Sequence, residues 1–320
     1  MSEKIDILQV ASVVPSIQQK LDATYRVHRA NPGDTIAPDV AAKVRAVVAG
    51  GGAPAGLLAQ LPKLEIVASA SVGYDGIDVP GAGARGIPVT NTPGVLNDDV
   101  ADLAIALMVM TARRLAAVDK YVRDGKWVAK GHMPLARKAS GKRLGIIGLG
   151  RIGQDIARRA EAMNMTVSYT NRRPVEGVAY RFVPNLVDLA RENDFVIIIA
   201  SAGPDATKMI SREVIEALGP EGILVNVSRG RVVDEAALVD ALKTGKLGGA
   251  GLDVFEDEPN VPADLMALEN VVLTPHLGSS TLETRTDMGQ LALDNLAAWF
   301  AGKPLLTEVP ETQAARRVAT

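Results

Sequence analysis

The stretch "RLGIIGLGRIGQDIARRA", residues 143–160, joins an apolar run, a glycine-rich loop and a helix-forming run. In such a loop Gly148 permits a tight turn, Gly150 lets a pyrophosphate approach the backbone, and Gly153 lets helix and strand pack closely. Free N–H groups at the start of the helix then face the phosphates. Because strand, loop and helix follow in the required order, the stretch predicts a dinucleotide site. Its expected cofactor-binding residues are Gly148, Leu149, Gly150, Arg151, Ile152 and Gly153.

The run "YTNRRP", residues 169–174, indicates which dinucleotide binds. A site for NAD usually holds a carboxylate about 20 residues after the glycine loop, where it accepts a hydrogen bond from the ribose 2′-hydroxyl. This chain has Asn171, Arg172 and Arg173 there instead. A carboxylate would repel the 2′-phosphate of NADP, whereas two guanidinium groups can pair with it. The pattern therefore favours a site for NADP(H) over the alternative that Arg172 and Arg173 are only solvated surface charges. It leaves NAD(H) open as a second cofactor.

The composition excludes several other classes of function. The net charge is −2 and aromatic residues make up only 3% of the 320 residues, so neither nucleic acid nor a membrane surface is an expected partner. The absence of cysteine excludes thiol nucleophiles, thiolate metal sites and disulfides, and is consistent with a cytoplasmic protein. No signal-peptide pattern and no apolar run of ~20 residues is present. Imidazole chemistry depends on one of three histidines, His28, His132 and His276.

Apolar β-rich runs alternate with helical runs, which predicts an α/β protein with parallel sheets. The first series places strands at 5–10, 46–51, 64–73 and 87–93, with helices at 36–45 and 54–62. A second series of six strands runs from the glycine loop to "NVVLTPH", the number in a complete dinucleotide-binding sheet. Residues 98–127 predict one long helix between the two series, with acids at its start and basic residues at its end. A further helical run follows residue 280, and the tail 311–320 is expected to fray.

Several motifs together resemble those of the D-isomer-specific 2-hydroxyacid dehydrogenases. They are "ASVGYDGID", "GLGRIG", "NVSRGRVVDE", "AGLDVFEDEP" and "VVLTPHLGSST", in that order along the chain. The resemblance extends from about residue 45 to 305. Within the family, "GKW", "MPLARKASGKRLGIIGLGRIG" and "YTNRR" are most similar to the glyoxylate/hydroxypyruvate and hydroxyphenylpyruvate reductase branch.

The resemblance implies three catalytic residues. Arg229 would grip the substrate carboxylate and polarise the adjacent carbonyl. His276 would give a proton to the carbonyl oxygen of a 2-oxo acid, and Glu258 would orient the imidazole ring. Each residue alone is more often a surface charge or a strand-end cap, but all three follow consecutive predicted strands, where α/β sheets bind ligands. His28 and His132 are interpreted as structural, and no metal is expected because no second histidine stands near His276.

The resemblance also implies the binding residues. The substrate carboxylate is expected on Ser71, Val72 and Gly73, together with Arg229 and His276. Asp253 matches an acid near the nicotinamide carboxamide. Beyond the glycine loop and residues 171–173, the expected cofactor contacts are Ala200, Pro204, Thr207, Val227, Ser228, Arg229, Asp253, His276 and Gly278.

The fold implied by the resemblance is α/β with two doubly wound domains. Residues 100–285 would form a Rossmann NAD(P)-binding domain, and residues 1–99 with 286–320 a smaller flavodoxin-like substrate-binding domain. The active site would lie in the cleft. The expected reaction is NADPH-dependent reduction of glyoxylate or hydroxypyruvate to the D-2-hydroxy acid. A homodimer is also implied, with residues 125–138 as an arm across the two-fold axis.

Two alternatives stay open at this point. The first is an NAD-dependent dehydrogenase of the phosphoglycerate or D-lactate type, which an acid near position 171 would have favoured. The second is a nucleotide-sensing, corepressor-like binding protein without enzymatic activity. A long partner-binding extension would favour that function, and this chain has almost none.

Overall fold

The computed structural model describes residues 4–200 and 206–319. It divides into two compact units, Met1–Leu96 with Ser279–Thr320, and Asn97–Gly278. These bounds lie a few residues from the domain boundaries expected from the sequence. Among the helices that the structure describes, none is long and apolar enough to cross a membrane.

The elements alternate along the chain as the apolar pattern predicts. The strands are β1 (Asp6–Gln9), β2 (Arg26–Arg29), β3 (Ala46–Ala49), β4 (Gly52–Ala53), β5 (Ile66–Ser69), β6 (Gly76–Ile77), β7 (Val89–Thr90), β8 (Arg143–Ile147), β9 (Thr166–Thr170), β10 (Arg181–Phe182), β11 (Phe195–Ile198), β12 (Ile223–Asn226), β13 (Gly249–Leu252) and β14 (Val271–Leu273). The helices are α1 (Pro15–Thr24), α2 (Pro38–Ala41), α3 (Ala55–Leu58), α4 (Val79–Ala84), α5 (Asn97–Arg113), α6 (Leu115–Arg123), α7 (Lys126–Lys130), α8 (Arg151–Ala162), α9 (Leu186–Glu192), α10 (Arg212–Leu218), α11 (Glu235–Lys243), α12 (Ala263–Met266), α13 (Leu282–Phe300) and α14 (Pro310–Ala319).

The first unit contains a parallel five-stranded sheet in the order β2-β1-β3-β5-β7, the order of flavodoxin-like folds. Its three central strands, β1, β3 and β5, are buried along their whole length, because neighbouring residues pack into cores on opposite faces. One core contains Ile7, Val48 and Ile66. The other contains Leu8, Val47 and Val67. The helices expected at 36–45 and 54–62 are shorter than predicted, since α2 and α3 each form a single turn.

The second unit contains a parallel sheet in the order β10-β9-β8-β11-β12-β13-β14. This is the Rossmann order with one strand added beyond β13. The sheet has seven strands rather than the expected six, because the two-residue β10 pairs with β9 at the edge. Two residues are too short to show a hydrophobic period, so the sequence pattern missed this strand.

The single helix expected at 98–127 is wrong. Helix α5 ends at Arg113, Arg114 takes a left-handed conformation with φ 52°, and α6 starts anew at Leu115. A left-handed residue closes a helix by satisfying its last carbonyls, usually with glycine. Because the break falls on an arginine among good helix formers, no glycine or proline signals it. A second break, at Gly125, separates α6 from α7.

The tail expected to fray is instead the helix α14. Thr312 on this helix is fully buried, and α14 packs against α4. Helix α13 likewise packs against α1 and β5 within the same unit. Both helices thus pack within the first unit, to which residues 286–320 were assigned from the sequence, and the fraying expected of residues 311–320 is wrong.

Candidate active site

The three loop glycines have the geometry that a pyrophosphate-binding turn requires. Gly148 has φ 104°, and a Cβ there would lie 2.6 Å from the backbone nitrogen of Ala200. A Cβ at Gly153 would overlap the carbonyl oxygen of Gly148, so only glycine lets α8 pack this closely on β8. At Gly150 a Cβ would meet nothing within 4 Å. The middle glycine therefore leaves open space at the N-terminus of α8, where phosphates bind.

Asn171 is tied to the glycine loop. Its Oδ1 accepts a hydrogen bond from the Leu149 N–H at 2.7 Å, and the Gly148 N–H donates to the Thr170 carbonyl at 3.0 Å. The end of β9 thus holds the end of β8 in place. In addition to its expected cofactor contact, Asn171 therefore has a structural function.

Arg172 and Arg173 follow as exposed residues on the turn after β9. Within the described part of the chain, neither guanidinium forms an ion pair or a hydrogen bond. The turn is anchored to the interior of the unit, because the hydroxyl of the buried Tyr169 accepts the Val175 N–H at 2.8 Å. The turn is therefore fixed, and both of its positive charges are available to bind an anion.

The structure brings two of the expected catalytic residues into contact. His276 Nδ1 lies 2.7 Å from Glu258 Oε2, and the two side chains are 49% and 35% exposed. Glu258 Oε1 also accepts the Phe255 N–H at 3.1 Å, which fixes the carboxylate on the loop after β13. With Glu258 as acceptor, the imidazole carries its proton on Nδ1 and directs Nε2 away from the carboxylate.

Asp253 builds the turn that carries His276. The carboxylate is 1% exposed and accepts three hydrogen bonds, from the Thr274 hydroxyl at 2.7 Å, the Leu277 N–H at 2.7 Å and the Gly278 N–H at 2.9 Å. His276 itself has φ 54°, a conformation that non-glycine residues seldom adopt. The buried carboxylate therefore holds the histidine in an unfavourable backbone conformation, as is common at functional sites.

Arg229 lies on a loop that Asn226 holds. The Asn226 side chain is 1% exposed, accepts from the Ser228 N–H and hydroxyl at 3.0 and 2.8 Å, and donates to the Arg229 carbonyl at 3.0 Å. A Cβ at Gly230 would overlap the backbone of Phe255 and Glu256. Glycine thus lets the loop that carries Arg229 touch the loop that leads to Glu258.

A further carboxyl supports the loop that carries Glu258. Glu235, at the start of α11, accepts the Glu256 N–H at 3.2 Å. Partial burial raises the pKa of the Glu235 carboxyl, and the nearby Glu256 and Asp257 charges act in the same direction. Sequence reasoning missed Asn226 and Glu235. The signal for Asn226 was a polar residue at the end of a buried strand.

The remaining expected site residues lie in separate places. Ala200, Val227, Ser228 and Gly278 belong to the loops that follow β11, β12 and β14, and Thr207 lies further along the segment after β11. Pro204 lies outside the described residues. Ser71, Val72 and Gly73 follow β5 in the first unit.

The match to a family model agrees with this geometry. The model for the D-isomer specific 2-hydroxyacid dehydrogenase, NAD binding domain, matches residues 105–278, more than half of the chain. Hydroxyphenylpyruvate reductase of Plectranthus scutellarioides is 49% identical over 313 residues, which cover 96% of this chain and 99% of the relative. The chain belongs to the D-isomer-specific 2-hydroxyacid dehydrogenases. The family expected from the sequence motifs is thereby confirmed.

Other members of the family point to the reductase branch. Glyoxylate/hydroxypyruvate reductase A of Arabidopsis thaliana is 46% identical over 312 residues, covering 96% of this chain and 99% of the relative. A crystal structure of the NADPH-dependent glyoxylate/hydroxypyruvate reductase of Sinorhizobium meliloti, in complex with NADP and malonate, superposes with a TM-score of 0.93. It is 43% identical and covers 97% of this chain and 98% of its own. The two-domain dehydrogenase fold expected from the sequence is confirmed as well.

Proposed function

We propose that this dehydrogenase catalyses the NADPH-dependent reduction of a small 2-oxo acid, glyoxylate or hydroxypyruvate, to the D-2-hydroxy acid. The observation that carries the proposal is the 2.7 Å pairing of His276 with Glu258. It places an oriented imidazole at the carboxyl edge of the sheet, where the glycine loop also lies. The hydroxyphenylpyruvate and glyoxylate/hydroxypyruvate reductases among its relatives support the substrate class.

Arg229 binds and polarises the substrate, and His276 donates the proton. The planar guanidinium of Arg229 binds the carboxylate and draws electron density from the adjacent carbonyl oxygen. Because Nδ1 of His276 is bonded to Glu258, Nε2 is the atom that holds and releases the mobile proton. That proton goes to the carbonyl oxygen, and the imidazole is left neutral. Asp253 and Glu258 position the histidine and take no proton from the substrate.

The residues present fit NADP(H). Gly150 leaves space at the start of α8, and Arg172 and Arg173 place two positive charges beside Asn171, which stands where an acid would bind the ribose of NAD. When bound, the reduced nicotinamide supplies the hydride that converts the substrate carbonyl carbon to CH–OH. The substrate contacts of Ser71, Val72 and Gly73, and the cofactor contacts of Asp253, Pro204 and the other residues expected above, are part of this proposal.

The proposal includes a homodimer in the cytoplasm. Apolar side chains stand exposed on α6, α7 and the loop after them, as on an unpaired subunit surface. They are Leu115, Val122, Trp127, Val128 and Leu135. The absence of cysteine supports a reducing compartment.

The proposed reaction is tested with a panel of 2-oxo acids and both nicotinamide cofactors, followed by the absorbance of the reduced nicotinamide. We expect the fastest turnover with glyoxylate or hydroxypyruvate and NADPH. His276→Ala should lower kcat by roughly 10²–10⁴-fold, the contribution of a positioned proton donor. Arg229→Ala should both raise KM and lower kcat, because it binds the ground state and the transition state.

His28→Ala is the matched control, since His28 pairs with Asp6 in the other unit and should not alter the proton transfer. Near-normal turnover of the His276→Ala variant would require another proton donor and would contradict the mechanism. A wild-type protein that binds NADPH but reduces no 2-oxo acid would favour the corepressor-like alternative.

A further inference from the structure

The structure assigns a positioning role to Asn91, supported by Thr307 and Asn295. We propose that these residues fix the Ser71–Gly73 loop so that its backbone N–H groups face the substrate carboxylate. The inference rests on the proposed function, because it takes a 2-oxo acid as the ligand of this loop. The loop and the three residues that support it all lie within the first unit.

Two consecutive carbonyl groups of the loop are held by the segment that follows β7. The Asn91 side chain donates through Nδ2 to the Val72 carbonyl at 2.9 Å. The next residue, Thr92, donates its backbone N–H to the Ser71 carbonyl at 3.1 Å. Thr92 is fully buried, so this second bond is shielded from water.

Fixing these carbonyls also fixes the direction of two donors. In a planar trans peptide the C=O and the following N–H point to opposite sides. The Ser71 carbonyl shares a peptide with the Val72 N–H, and the Val72 carbonyl with the Gly73 N–H. Among the described residues, neither N–H has an acceptor. Both therefore point away from Asn91 and Thr92, and adjacent backbone N–H groups of this kind bind anions.

Asn91 is itself held on both sides of its backbone by Thr307. The Asn91 N–H donates to the Thr307 carbonyl at 3.2 Å, and the Thr307 hydroxyl donates to the Asn91 carbonyl at 2.6 Å. The neighbouring bridge between Thr90 and Glu308 continues this pairing. The side chain of Asn91 is thus presented from a fixed backbone.

Behind Thr307 lies a fully buried amide whose hydrogen-bonding capacity is completely used. The Asn295 Nδ2 donates to the Thr307 hydroxyl and to the Leu291 carbonyl, each at 2.9 Å. Its Oδ1 accepts the N–H groups of Leu306 and Thr307 at 3.0 and 3.3 Å. A fully satisfied buried network of this kind makes its members rigid. The chain of bonds therefore runs from the interior of α13 through Thr307 and Asn91 to the Val72 carbonyl.

The first test is Asn91→Ala in the full-length enzyme. Without the amide, the Val72–Gly73 peptide is free to rotate and its N–H loses its direction. We expect the KM for glyoxylate to rise roughly ten- to a hundredfold, as for other small misplacements of a binding group. The KM for NADPH should stay unchanged. Reduction of an aldehyde without a carboxylate, such as glycolaldehyde, should change little, because the loop recognises the carboxylate.

A second pair of variants tests the support behind Asn91. Thr307→Val has nearly the same shape but lacks the hydroxyl that links Asn295 to the Asn91 carbonyl, and should raise the KM for glyoxylate in the same way. Thr307→Ser keeps the hydroxyl and should restore the wild-type KM. Gln60→Ala is the matched control, because this amide also bonds backbone groups of the first unit, at Ile36 and Gly56. It should lower the melting temperature and leave every KM unchanged.

The inference is overturned if Asn91→Ala and Thr307→Val lose thermal stability but keep the wild-type KM for glyoxylate. It is also overturned if glyoxylate and glycolaldehyde are affected equally, since the loss would then not concern the carboxylate. Failure of the proposed function gives a different result, namely a wild-type enzyme that reduces no 2-oxo acid.

Discussion

At the scale of single residues, we expect the proposed cofactor preference to depend on Arg172 and Arg173. Both are exposed on a turn that Tyr169 anchors. Replacing both by alanine should weaken the use of NADPH strongly and that of NADH little. Each lost charged hydrogen bond is worth roughly 1.5–3 kcal/mol, so the preference should shift by about a hundredfold or more. The measurement is the ratio of kcat/KM for NADPH and NADH.

A control for general charge effects is the double variant Arg191→Ala with Arg212→Ala. These arginines are exposed on α9 and α10 and pair with carboxylates of their own helices. The control should leave the cofactor ratio unchanged. Equal losses with both cofactors in the Arg172 and Arg173 variant would show that these residues do not bind the 2′-phosphate.

At the scale of elements, one ion pair joins the starts of β8 and β11, at the edge of the sheet opposite the glycine loop. Asp194 accepts from the Arg143 backbone N–H at 2.9 Å and from its guanidinium at 3.0 Å on each oxygen. The hydrogen bond from the Arg143 side chain lowers the pKa of the Asp194 carboxyl. Asp194→Asn should therefore lower the free energy of unfolding near pH 7 by about 1 kcal/mol, since more than half of the Arg143 side chain is exposed to water.

The sign of the pH dependence follows from the lowered pKa. A carboxyl that is more acidic in the folded state stabilises the fold above its unfolded pKa of about 3.9 and loses that contribution as the pH falls. The free energy of unfolding, measured in urea, should thus differ most between wild type and Asp194→Asn near neutral pH. This difference should become smaller below about pH 4. Asp188→Asn, an exposed carboxyl on α9, is the control. A difference that stays constant down to about pH 3 would show that the charge of Asp194 contributes nothing.

At the scale of the whole molecule, the arm of residues 125–138 carries the proposed subunit contact. Trp127 is 56% exposed and Leu135 is 99% exposed, although both are large and apolar. Trp127→Ala combined with Leu135→Ser should shift the protein from dimer toward monomer in size-exclusion chromatography with light scattering. Because a two-fold interface uses each contact twice, the two substitutions remove four side-chain contacts from the dimer.

The Trp127→Ala variant alone should also change the preference among 2-oxo acids, if the arm reaches the pocket of the partner subunit. Met266→Ala removes another exposed apolar side chain of the same unit, at 62% exposure, and serves as the control. It should remain dimeric. A wild-type protein that runs as a monomer at about micromolar concentration, where stable dimers persist, would refute the arm contact.

Much of the fold could be predicted from the sequence, because the buried parallel strands are apolar runs long enough to be recognised as a local pattern. The six strands from β8 to β14, other than β10, follow from such runs. The errors have a common cause. The break at Arg114, the two-residue β10 and the helix at the tail all depend on contacts that local composition does not contain. Thr312, for example, is buried where α14 packs against α4, and its hydroxyl accepts the Val89 N–H at 3.2 Å.

The sequence by itself determined the types of the proposed catalytic and cofactor-binding groups and their order along the chain. A glycine loop, two arginines in place of an acid, and one histidine after a strand are local features whose chemistry is independent of the rest of the molecule. Only the tertiary structure decided how those groups are held. It joined His276 to Glu258, closed the turn of His276 on Asp253, and used Asn171 to hold the glycine loop. Residues distant in sequence make these bonds, because the parallel strands bring their carboxyl ends to one edge of the sheet.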